Sequence, residues 1–311
     1  MSTRVAAVDV GSDSTRLLIA DVDGPDSMRA VVRNSIPTQL SAGLYESGQL
    51  TVAAQARALK ALAEHAAEIE RHSCVVSAAV LTSAVREAQN GAEFTAEVRR
   101  RFRINARVID GHTEAELTYN GATLGRDLDG RVLVVDVGGG STDLMIGERG
   151  TPLFQASTQA GAVRKAARFL HGDPPRPEEV GSLRANIQRV LEDAVPAEMR
   201  TGLSHGLMSA EGWTWRSALT ALGDQGAEAA QSGILGRELV EQALDRLIGV
   251  RMAELREAPG IHEARAPTLV AGTAIVIETM DAFGLDRLEI AEGDLLEGLA
   301  MGLASQGAAV A

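Results

Sequence analysis

Short runs of β-branched and other apolar residues, separated by turn residues, open the chain and predict a meander of strands. The predicted strands cover residues 5–8, 17–20 and 30–32. From Thr51 to Arg71 the pattern changes, because apolar residues recur at spacings of three and four. This periodicity predicts a helix with one buried face.

The next segments alternate between strand and helix patterns. In chain order, they predict a strand over residues 75–81, a helix over 87–101, a strand over 106–109 and a helix from Thr113. A β-rich start followed by such alternation is typical of a mixed sheet with helices on its faces. The first half of the chain is therefore predicted to be an α/β domain.

The same order of patterns begins again after a glycine-rich segment over residues 125–130. A strand, a glycine turn and a second strand come first, and helices then dominate. The predicted elements are strands over 132–135, 144–146, 206–209, 267–270 and 287–290, and helices over 162–170, 177–194 and 237–255, from Ala271 and from Asp294. Two similar openings indicate an internal duplication. We predict two α/β domains, residues 1–125 and 126–311, with the last helix packing back on the first domain.

Each predicted domain carries a glycine-bearing turn directly after its first strand. The turns read Asp9-Val-Gly-Ser-Asp-Ser-Thr15 and Asp136-Val-Gly-Gly-Gly-Ser-Thr-Asp143. Glycine lets a backbone turn sharply and point N–H groups at an anion, and hydroxyl groups add donors. Such turns are also ordinary hairpin connections, and the two interpretations are compatible because an apolar run follows each turn. The phosphate-binding candidates are Gly11, Ser12, Ser14, Gly138, Gly139, Gly140, Ser141 and Thr142.

A carboxylate precedes each turn, Asp9 in the first and Asp136 in the second. A carboxylate repels a neighbouring phosphate unless a cation lies between them, so we predict Mg²⁺ or Mn²⁺ at Asp9 and Asp136. The six histidines and the single cysteine show no zinc-site spacing. We expect the cleft between the two domains to hold both turns.

Composition narrows the range of partners. The chain has 42 acidic and 30 basic residues, a net charge of −12, and all but two of the basic residues are arginines. Nucleic acids and anionic membranes select for basic surfaces, so neither is expected as a partner. No run approaches the ~18 apolar residues of a membrane span, and Arg4 and Asp9 interrupt the N-terminus where a signal peptide is apolar. We expect a cytoplasmic protein.

Two residues of the first domain have side chains suited to phosphate chemistry. Glu114 opens a helix after a strand, where its carboxylate either complements the helix dipole or accepts a proton from an attacking water. The spacing of Thr113 and Glu116 predicts a capping box, which gives Glu116 a structural role. Arg86 ends the segment Thr82-Ser-Ala-Val-Arg86 and is either a surface arginine or a phosphate ligand.

Two features of the second domain complement these residues. Asp143 follows the triple glycine and is placed to orient water or to hold a metal ion through water. The segment Gly161-Ala-Val-Arg164 opens a helix, and the N-terminus of a helix is an anion site.

Six motifs in this order resemble those of the Ppx/GppA family of exopolyphosphatases and guanosine pentaphosphate phosphohydrolases. They are Asp-Val-Gly-Ser12, Thr-Ser-Ala-Val-Arg-Glu-Ala88, Gly-x-x-Glu-Ala115, Asp-Val-Gly-Gly-Gly-Ser-Thr142, Gly-Ala-Val-Arg164 and Leu-x-x-Gly-Leu-Ala-x-Gly-Leu303. The resemblance covers roughly residues 3–304. It implies the two-domain α/β fold of actin, Hsp70 and the sugar kinases, a ribonuclease H-like fold, with the active site in the interdomain cleft. It also implies a short form that contains only the two core domains, and a homodimer.

The resemblance assigns roles residue by residue. Glu114 takes the position of the family's catalytic glutamate, and Arg86 that of its phosphate-contacting arginine. The two glycine turns, with Asp9 and Asp136, take the positions that bind phosphate and Mg²⁺ or Mn²⁺, and Asp143 stands where a second catalytic carboxylate is expected.

Four departures from the usual family pattern accompany the match. Asp13 replaces an asparagine, Asp143 is one methylene shorter than the usual glutamate, and Gln39 stands where many members carry an arginine. Trp213 lies in Glu211-Gly-Trp-Thr-Trp215, where a small glycine-rich turn is expected.

We expect a metal-assisted phosphohydrolase of the exopolyphosphatase type. It would release terminal phosphate from short or long inorganic polyphosphate, or from the guanosine polyphosphate pppGpp, by in-line attack of water. The departures leave an alternative, a weakly active or inactive family member that senses a nucleotide or polyphosphate. A kinase of the same fold is disfavoured, because the elements around Arg86 and Glu114 go beyond the shared phosphate turns.

Overall fold

The computed structural model describes residues 2–24, 27–148, 151–209, 218–219 and 223–308. The chain divides into two compact units. Unit 1 comprises residues 1–127 together with 293–311, and unit 2 comprises residues 128–292. The segment after residue 292 thus belongs to the first unit.

Unit 1 is a five-stranded mixed sheet with helices. Its elements are β1 Thr3–Val10, β2 Ser14–Gly24, β3 Ser27–Pro37, α1 Leu44–Ser47, α2 Val52–Arg71, β4 Val76–Leu81, α3 Ser83–Glu87, α4 Gly91–Phe102, β5 Asn105–Val108, α5 Gly111–Thr123 and, from the end of the chain, α12 Leu295–Ala308. The strand order is β3-β2-β1-β4-β5. The first three strands pair antiparallel as the predicted meander, and β1, β4 and β5 pair parallel.

Strand β1 is buried on both faces, which explains its continuous apolar run. Ala6 and Val8 pack in a core with α2 and α4, whereas Val5 and Ala7 pack in a second core with α12. Two helical layers thus cover the sheet, and the carboxyl end of β1 leads directly into the first glycine turn.

Helices α5 and α12 approach each other closely through glycines. A Cβ added to Gly298 would lie 2.0 Å from the carbonyl oxygen of Leu117, and one added to Gly121 would lie 1.8 Å from that of Asp294. Both distances are far below van der Waals contact, and both obstacles are backbone atoms. The contact positions α5, the helix that bears Glu114, and it depends on the absence of side chains at these points.

We expect Gly298→Ala to lower the free energy of unfolding by at least about 2 kcal/mol, because the added methyl forces the two backbones apart. Gly302→Ala is the matched control in the same helix. A Cβ there meets nothing within 4 Å, so alanine should stabilise α12 by roughly 0.5–1 kcal/mol. Urea unfolding measures both, and equal stabilities of the two variants would contradict the close contact.

Unit 2 is a six-stranded mixed sheet with helices. Its elements are β6 Arg131–Val137, β7 Thr142–Glu148, β8 Thr151–Thr158, α6 Ala162–Phe169, α7 Pro177–Ala194, β9 Leu203–Met208, α8 Asp224–Ser232, β10 Ile234–Gly236, α9 Arg237–Leu247, α10 Met252–Glu257, α11 Leu269–Phe283 and β11 Arg287–Ile290. The strand order is β10-β11-β9-β6-β7-β8. Strands β6 and β7 form the predicted hairpin around the triple glycine.

The sequence prediction was wrong for residues 267–270, which were assigned to a strand. They end a 3₁₀ helix, Glu263–Thr268, and begin α11. Helix α11 is buried on almost all sides, so its sequence has no polar stripe. A short apolar part of such a helix has the same pattern as a buried strand. The segment Glu263–Phe283 is also long and apolar enough for a membrane span, but 83% of its most apolar window is buried inside the protein. It is a core helix.

Other elements also differ from the prediction. The helix predicted over 237–255 is two helices, α9 and α10, with Gly249 in the break. The helix predicted over 87–101 begins later and follows the separate short helix α3. Strands β8 and β10 and helices α1 and α8 were not predicted. The α/β class, with one sheet in each half of the chain, is confirmed.

Candidate active site

The first glycine turn is the connection of the β1–β2 hairpin. The N–H of Gly11 donates to the carbonyl of Ser14 at 3.0 Å, and a Cβ on Gly11 would lie 3.1 Å from that oxygen. Opposite positions in the hairpin are Asp9 and Arg16. The hairpin interpretation is therefore correct, and it leaves the phosphate interpretation open.

The second turn repeats this geometry in unit 2. The N–H of Gly138 donates to the carbonyl of Ser141 at 2.9 Å, and a Cβ on Gly138 would lie 3.2 Å from that oxygen. Opposite positions here are Asp136 and Asp143. The same bond closing the same strand–turn–strand unit supports the predicted internal duplication.

Helix α6 holds the carbonyl groups of the triple glycine. The backbone donors are the N–H groups of Ala162, Val163 and Arg164, at 2.9–3.2 Å from the carbonyls of Gly138 and Gly139. The Arg164 side chain adds a bond from Nε to the carbonyl of Gly140 at 2.9 Å. The N-terminus of this helix was predicted as an anion site, but its N–H groups are bonded to the turn.

The bonds to α6 fix the direction of the remaining N–H groups. In a planar trans peptide the C=O and N–H point in opposite directions. Since the carbonyls of Gly138, Gly139 and Gly140 point at α6, the N–H groups of Gly139, Gly140 and Ser141 point away from it. Consecutive N–H groups in such a turn form a concave anion-binding nest.

In unit 1 a loop holds the carbonyl groups of the first turn, as α6 holds those of the second turn. The N–H groups of Thr38 and Gln39 donate to the carbonyl of Asp13 at 2.8 and 2.7 Å, and Ser41 N–H donates to the carbonyl of Ser12 at 3.0 Å. By the same geometry the N–H groups of Asp13 and Ser14 point away from the loop. Both turns therefore present backbone donors on one side.

The structure brings together Arg86 and Glu114, which the sequence singled out separately. Arg86 Nη1 donates to Glu114 Oε2 at 2.9 Å and to the carbonyl of Ile109 at 2.8 Å. Glu114 is buried, whereas the Arg86 side chain is 25% exposed. The hydroxyls of Ser12 and Ser83 lie 2.9 Å apart, so the first turn also contacts the segment that carries Arg86.

The predicted capping box at Thr113 and Glu116 was wrong. Helix α5 begins at Gly111, and its N-cap is Asp110, whose Oδ1 accepts from the Thr113 N–H at 2.8 Å. That backbone donor lowers the pKa of Asp110. Because Asp110 is the cap, Thr113 and Glu116 do not form a capping box; Glu114, one residue after Thr113, directs its carboxylate at Arg86.

A buried ion network fixes Asp9. Arg16 Nε donates to Asp9 Oδ2 at 2.9 Å, and Arg16 Nη1 donates to Asp294 Oδ2 at 2.7 Å. Asp294 in turn accepts from the N–H of Leu296 at the start of α12. Burial raises the pKa of Asp9, and Arg16 opposes that rise. The sequence analysis missed Arg16 and Asp294, although the hairpin register alone places Arg16 opposite Asp9.

In the second turn, the hydroxyls have different partners. Ser141 Oγ donates to Asp143 Oδ2 at 3.4 Å, and both residues are buried. Thr142 Oγ1 donates to the carbonyl of Ala160 at 2.6 Å and is fully buried. The Thr142 hydroxyl, predicted to bind phosphate, therefore supports the turn instead.

Comparison with known proteins identifies the family. The sequence profile of the Ppx/GppA phosphatase family matches residues 18–306. Exopolyphosphatase 2 of Mycobacterium tuberculosis is 34% identical over 97% of this chain and 99% of its own length. This chain belongs to the Ppx/GppA phosphatase family. Exopolyphosphatase 1 of Mycobacterium leprae is 28% identical over 95% of this chain and 88% of its own length.

Solved structures of Ppx/GppA proteins share the fold. An exopolyphosphatase-like protein superposes with a TM-score of 0.86 at 28% identity, covering 97% of both chains. The Aquifex aeolicus family member gives a TM-score of 0.79 at 24% identity, covering 99% of both chains. The predicted fold class is confirmed, and so is the prediction that the chain is an enzyme, a hydrolase of phosphoanhydrides.

The departures from the usual Ppx/GppA pattern lie at defined places. The Gln39 N–H donates to the carbonyl of Asp13, and this is one of the hydrogen bonds that hold the first turn. Gln39 has a positive φ of 47°. Asp143 faces Asp136 across the second hairpin. Trp213 and the segment 211–215 lie outside the described residues.

The donor set fits a magnesium ion shared with phosphate. Asp9 Oδ1 is buried and has no hydrogen-bond partner within the described parts of the chain. Those parts contain no group of three or more Asp, Glu, His or Cys residues that could hold a metal ion by themselves. Mg²⁺ commonly takes one or two protein carboxylates and completes its shell with water and substrate phosphates, so a single carboxylate such as Asp9 suits this mode of binding.

One buried lysine gives unit 2 an unusual pH dependence. Lys165, on α6, is 3% exposed, and its Nζ donates to Asn186 Oδ1 at 2.6 Å. Burial, with Arg168 and Arg164 nearby, lowers its pKa from 10.5 to about 8.

We expect Lys165 to make stability rise with pH between about 8 and 10.5, against Cys74 and Tyr119, whose burial raises their pKa and has the opposite effect on stability. In this window the unfolded chain keeps the Lys165 proton that the folded protein has lost, so raising the pH favours folding, by up to about 3 kcal/mol. Urea unfolding from pH 7 to 10 measures the slope. Lys165→Met should flatten it, whereas Lys60→Met, at the other and exposed lysine, should not. Equal slopes in all three proteins would contradict the assignment.

Proposed function

We propose that this protein is an exopolyphosphatase that removes the terminal phosphate from inorganic polyphosphate. The observation that carries the proposal is the Arg86–Glu114 pair, a buried carboxylate beside a partly exposed guanidinium, in a chain with two phosphate-type turns. The names of its relatives support the same activity.

In the proposed reaction a water oxygen bonds to the terminal phosphorus while the bridging P–O bond breaks. Glu114 takes the proton of that water as general base. Arg86 and the N–H groups of Gly139, Gly140 and Ser141 stabilise the equatorial oxygens, whose negative charge grows in the transition state. The products are orthophosphate and a chain shorter by one unit.

Asp143 orients the attacking water in this proposal, and the Ser141 hydroxyl holds its carboxylate. Mg²⁺ or Mn²⁺, held by Asp9 and Asp136, would supply positive charge that neutralises the phosphate oxygens. Arg16 keeps Asp9 Oδ2 in place, so that Oδ1 is the oxygen available for the cation.

An assay of phosphate release tests the proposal. The wild type is given long-chain polyphosphate, tripolyphosphate, pppGpp and ATP with Mg²⁺, and Glu114→Gln supplies the background. Release from polyphosphate well above this background is expected. Release from none of the four substrates would overturn the proposal and favour a sensor that binds without turnover.

Three measurements test the predictions about pppGpp, the metal ion and the homodimer. Release from pppGpp would extend the substrate range to guanosine polyphosphates. A titration with EDTA, followed by Mg²⁺ or Mn²⁺, tests the metal requirement, and sedimentation tests the homodimer. The cytoplasmic location stays a prediction from the sequence.

A further inference from the structure

Five arginines lie within nine residues of unit 1, in a chain whose net charge is −12. We call them the arginine cluster: Arg99, Arg100, Arg101, Arg103 and Arg107. They occupy the last turn of α4, the connection to β5 and β5 itself, and all five are exposed. Glu97 lies beside them on α4, and the next acidic residues in sequence are the exposed Glu93 and Asp110, so basic residues outnumber acidic ones over this stretch.

Local structure accounts for three of the five. Arg99 Nε donates to the carbonyl of Ala106 at 2.6 Å. Arg100 and Arg101 both pair with Glu97. Cations in the last turn of a helix also interact favourably with its dipole. No described contact of this kind accounts for Arg103 or Arg107.

Arg103 stands where the backbone favours a different residue. It follows the last residue of α4 with a φ of 55°, in the left-handed region, and its N–H bonds the carbonyl of Arg99. Glycine, or sometimes asparagine, is the usual residue at this position, because a Cβ is strained there. An arginine at a position that suits glycine indicates that its side chain is needed for something other than stability.

The arginine cluster lies along the segment of chain that ends beside the Arg86–Glu114 pair. Strand β5 is an edge strand of its sheet, and Ile109, one residue after its end, accepts the bond from Arg86. At ~3.3 Å per residue, Arg107 lies about 7 Å along the chain from Ile109, and Arg103 lies within about 20 Å. An extended ligand along this edge would meet the cluster.

We propose that the arginine cluster binds the distal part of a long polyphosphate chain while the chain end is hydrolysed at the active site. Polyphosphate carries one negative charge on each unit, and guanidinium groups bind phosphate oxygens through two parallel donors. The cluster then gives the enzyme a preference for long chains over tripolyphosphate. This inference rests on the proposed function.

Kinetics with two substrates test the inference. We expect Arg103→Gly combined with Arg107→Gln to raise KM for long-chain polyphosphate about tenfold, with kcat and the KM for tripolyphosphate unchanged. The salt dependence of KM for the long chain should also become shallower, because fewer ionic contacts remain. Arg189→Gln combined with Arg256→Gln, at exposed arginines on α7 and α10, is the control that removes the same charge. An unchanged KM for the long chain would overturn the inference.

A stability measurement separates this role from a structural one. Arg103→Gly should move the urea midpoint upward, since glycine relieves the left-handed strain, while binding of the long chain weakens. A structural arginine would instead lower the midpoint when it is removed. Loss of stability together with an unchanged KM would contradict the proposal.

Direct binding keeps the inference distinct from the proposed function. Fluorescently labelled long-chain polyphosphate is titrated into wild type and into the Arg103→Gly, Arg107→Gln variant, under conditions without turnover. Binding that depends on the arginines, together with no hydrolysis in the phosphate-release assay, would overturn the proposed function but support the docking surface. Hydrolysis with equal binding would overturn the docking surface alone. Single-stranded RNA that binds the cluster more tightly than polyphosphate would also overturn it.

Discussion

Glu114→Gln is expected to lower kcat on polyphosphate by about a hundredfold to ten-thousandfold, the usual contribution of a general base. Glutamine has the shape of glutamate, and its amide oxygen can still accept the bond that Arg86 donates to Glu114. It cannot take the proton of the attacking water. The loss should therefore appear in kcat, with little change in KM or in the urea midpoint.

The control for this prediction is Glu116→Gln, the same substitution two residues later in α5. Glu116 is exposed, and Asp110 rather than Thr113 caps the helix, so this variant should retain full activity. Phosphate release under saturating polyphosphate measures both. A Glu114→Gln variant with more than about a third of the wild-type kcat would rule out Glu114 as the base.

The sequence was sufficient to find the β1–β2 and β6–β7 hairpins and their glycine turns, because those features are local. Strand β1 and its turn are encoded within Thr3–Val10 and the four residues that follow. The position of Glu114 at the start of a helix also follows from neighbouring residues. These are the parts of the candidate site that could be predicted before the structure was known.

The contacts that fix the site join residues far apart in sequence. Arg16 meets Asp294, 278 positions away, and this contact required the last helix to return to unit 1. The pairing of Arg86 with Glu114 spans 28 positions. Hydrophobic periodicity carries no information about such pairs. It also failed for α11, because a helix buried on all sides has no polar face to reveal its period.

Gly161 shows most clearly that a local sequence pattern does not reveal a contact with a distant part of the chain. The sequence marks it as the first residue of the Gly-Ala-Val-Arg164 motif that opens a helix, and its φ of −86° and ψ of 146° suit any amino acid. Its importance comes from the triple glycine, which packs directly against its Cα. A Cβ added here would lie 2.3 Å from the carbonyl oxygen of Gly139 and 2.1 Å from the carbonyl carbon of Gly140. Both obstacles are backbone atoms that cannot rotate away.

We therefore expect Gly161→Ala to lower kcat/KM on polyphosphate by about a hundredfold, the loss that a displacement of ~1 Å can cause. The methyl must move either the turn or α6, and either shift redirects the N–H groups of Gly139, Gly140 and Ser141. The free energy of unfolding should fall by about 1–3 kcal/mol, which is compatible with a folded protein.

Gly181→Ala, on the exposed side of α7, is the matched control. A Cβ there meets nothing within 4 Å, so this variant should keep full activity and gain roughly 0.5–1 kcal/mol of stability from the better helix former. Since Gly161 adopts a conformation open to alanine, any loss of activity in Gly161→Ala must come from the contact with the turn. Full activity in that variant would mean that the triple glycine can shift without cost, and that its N–H groups do not hold the phosphate in the transition state.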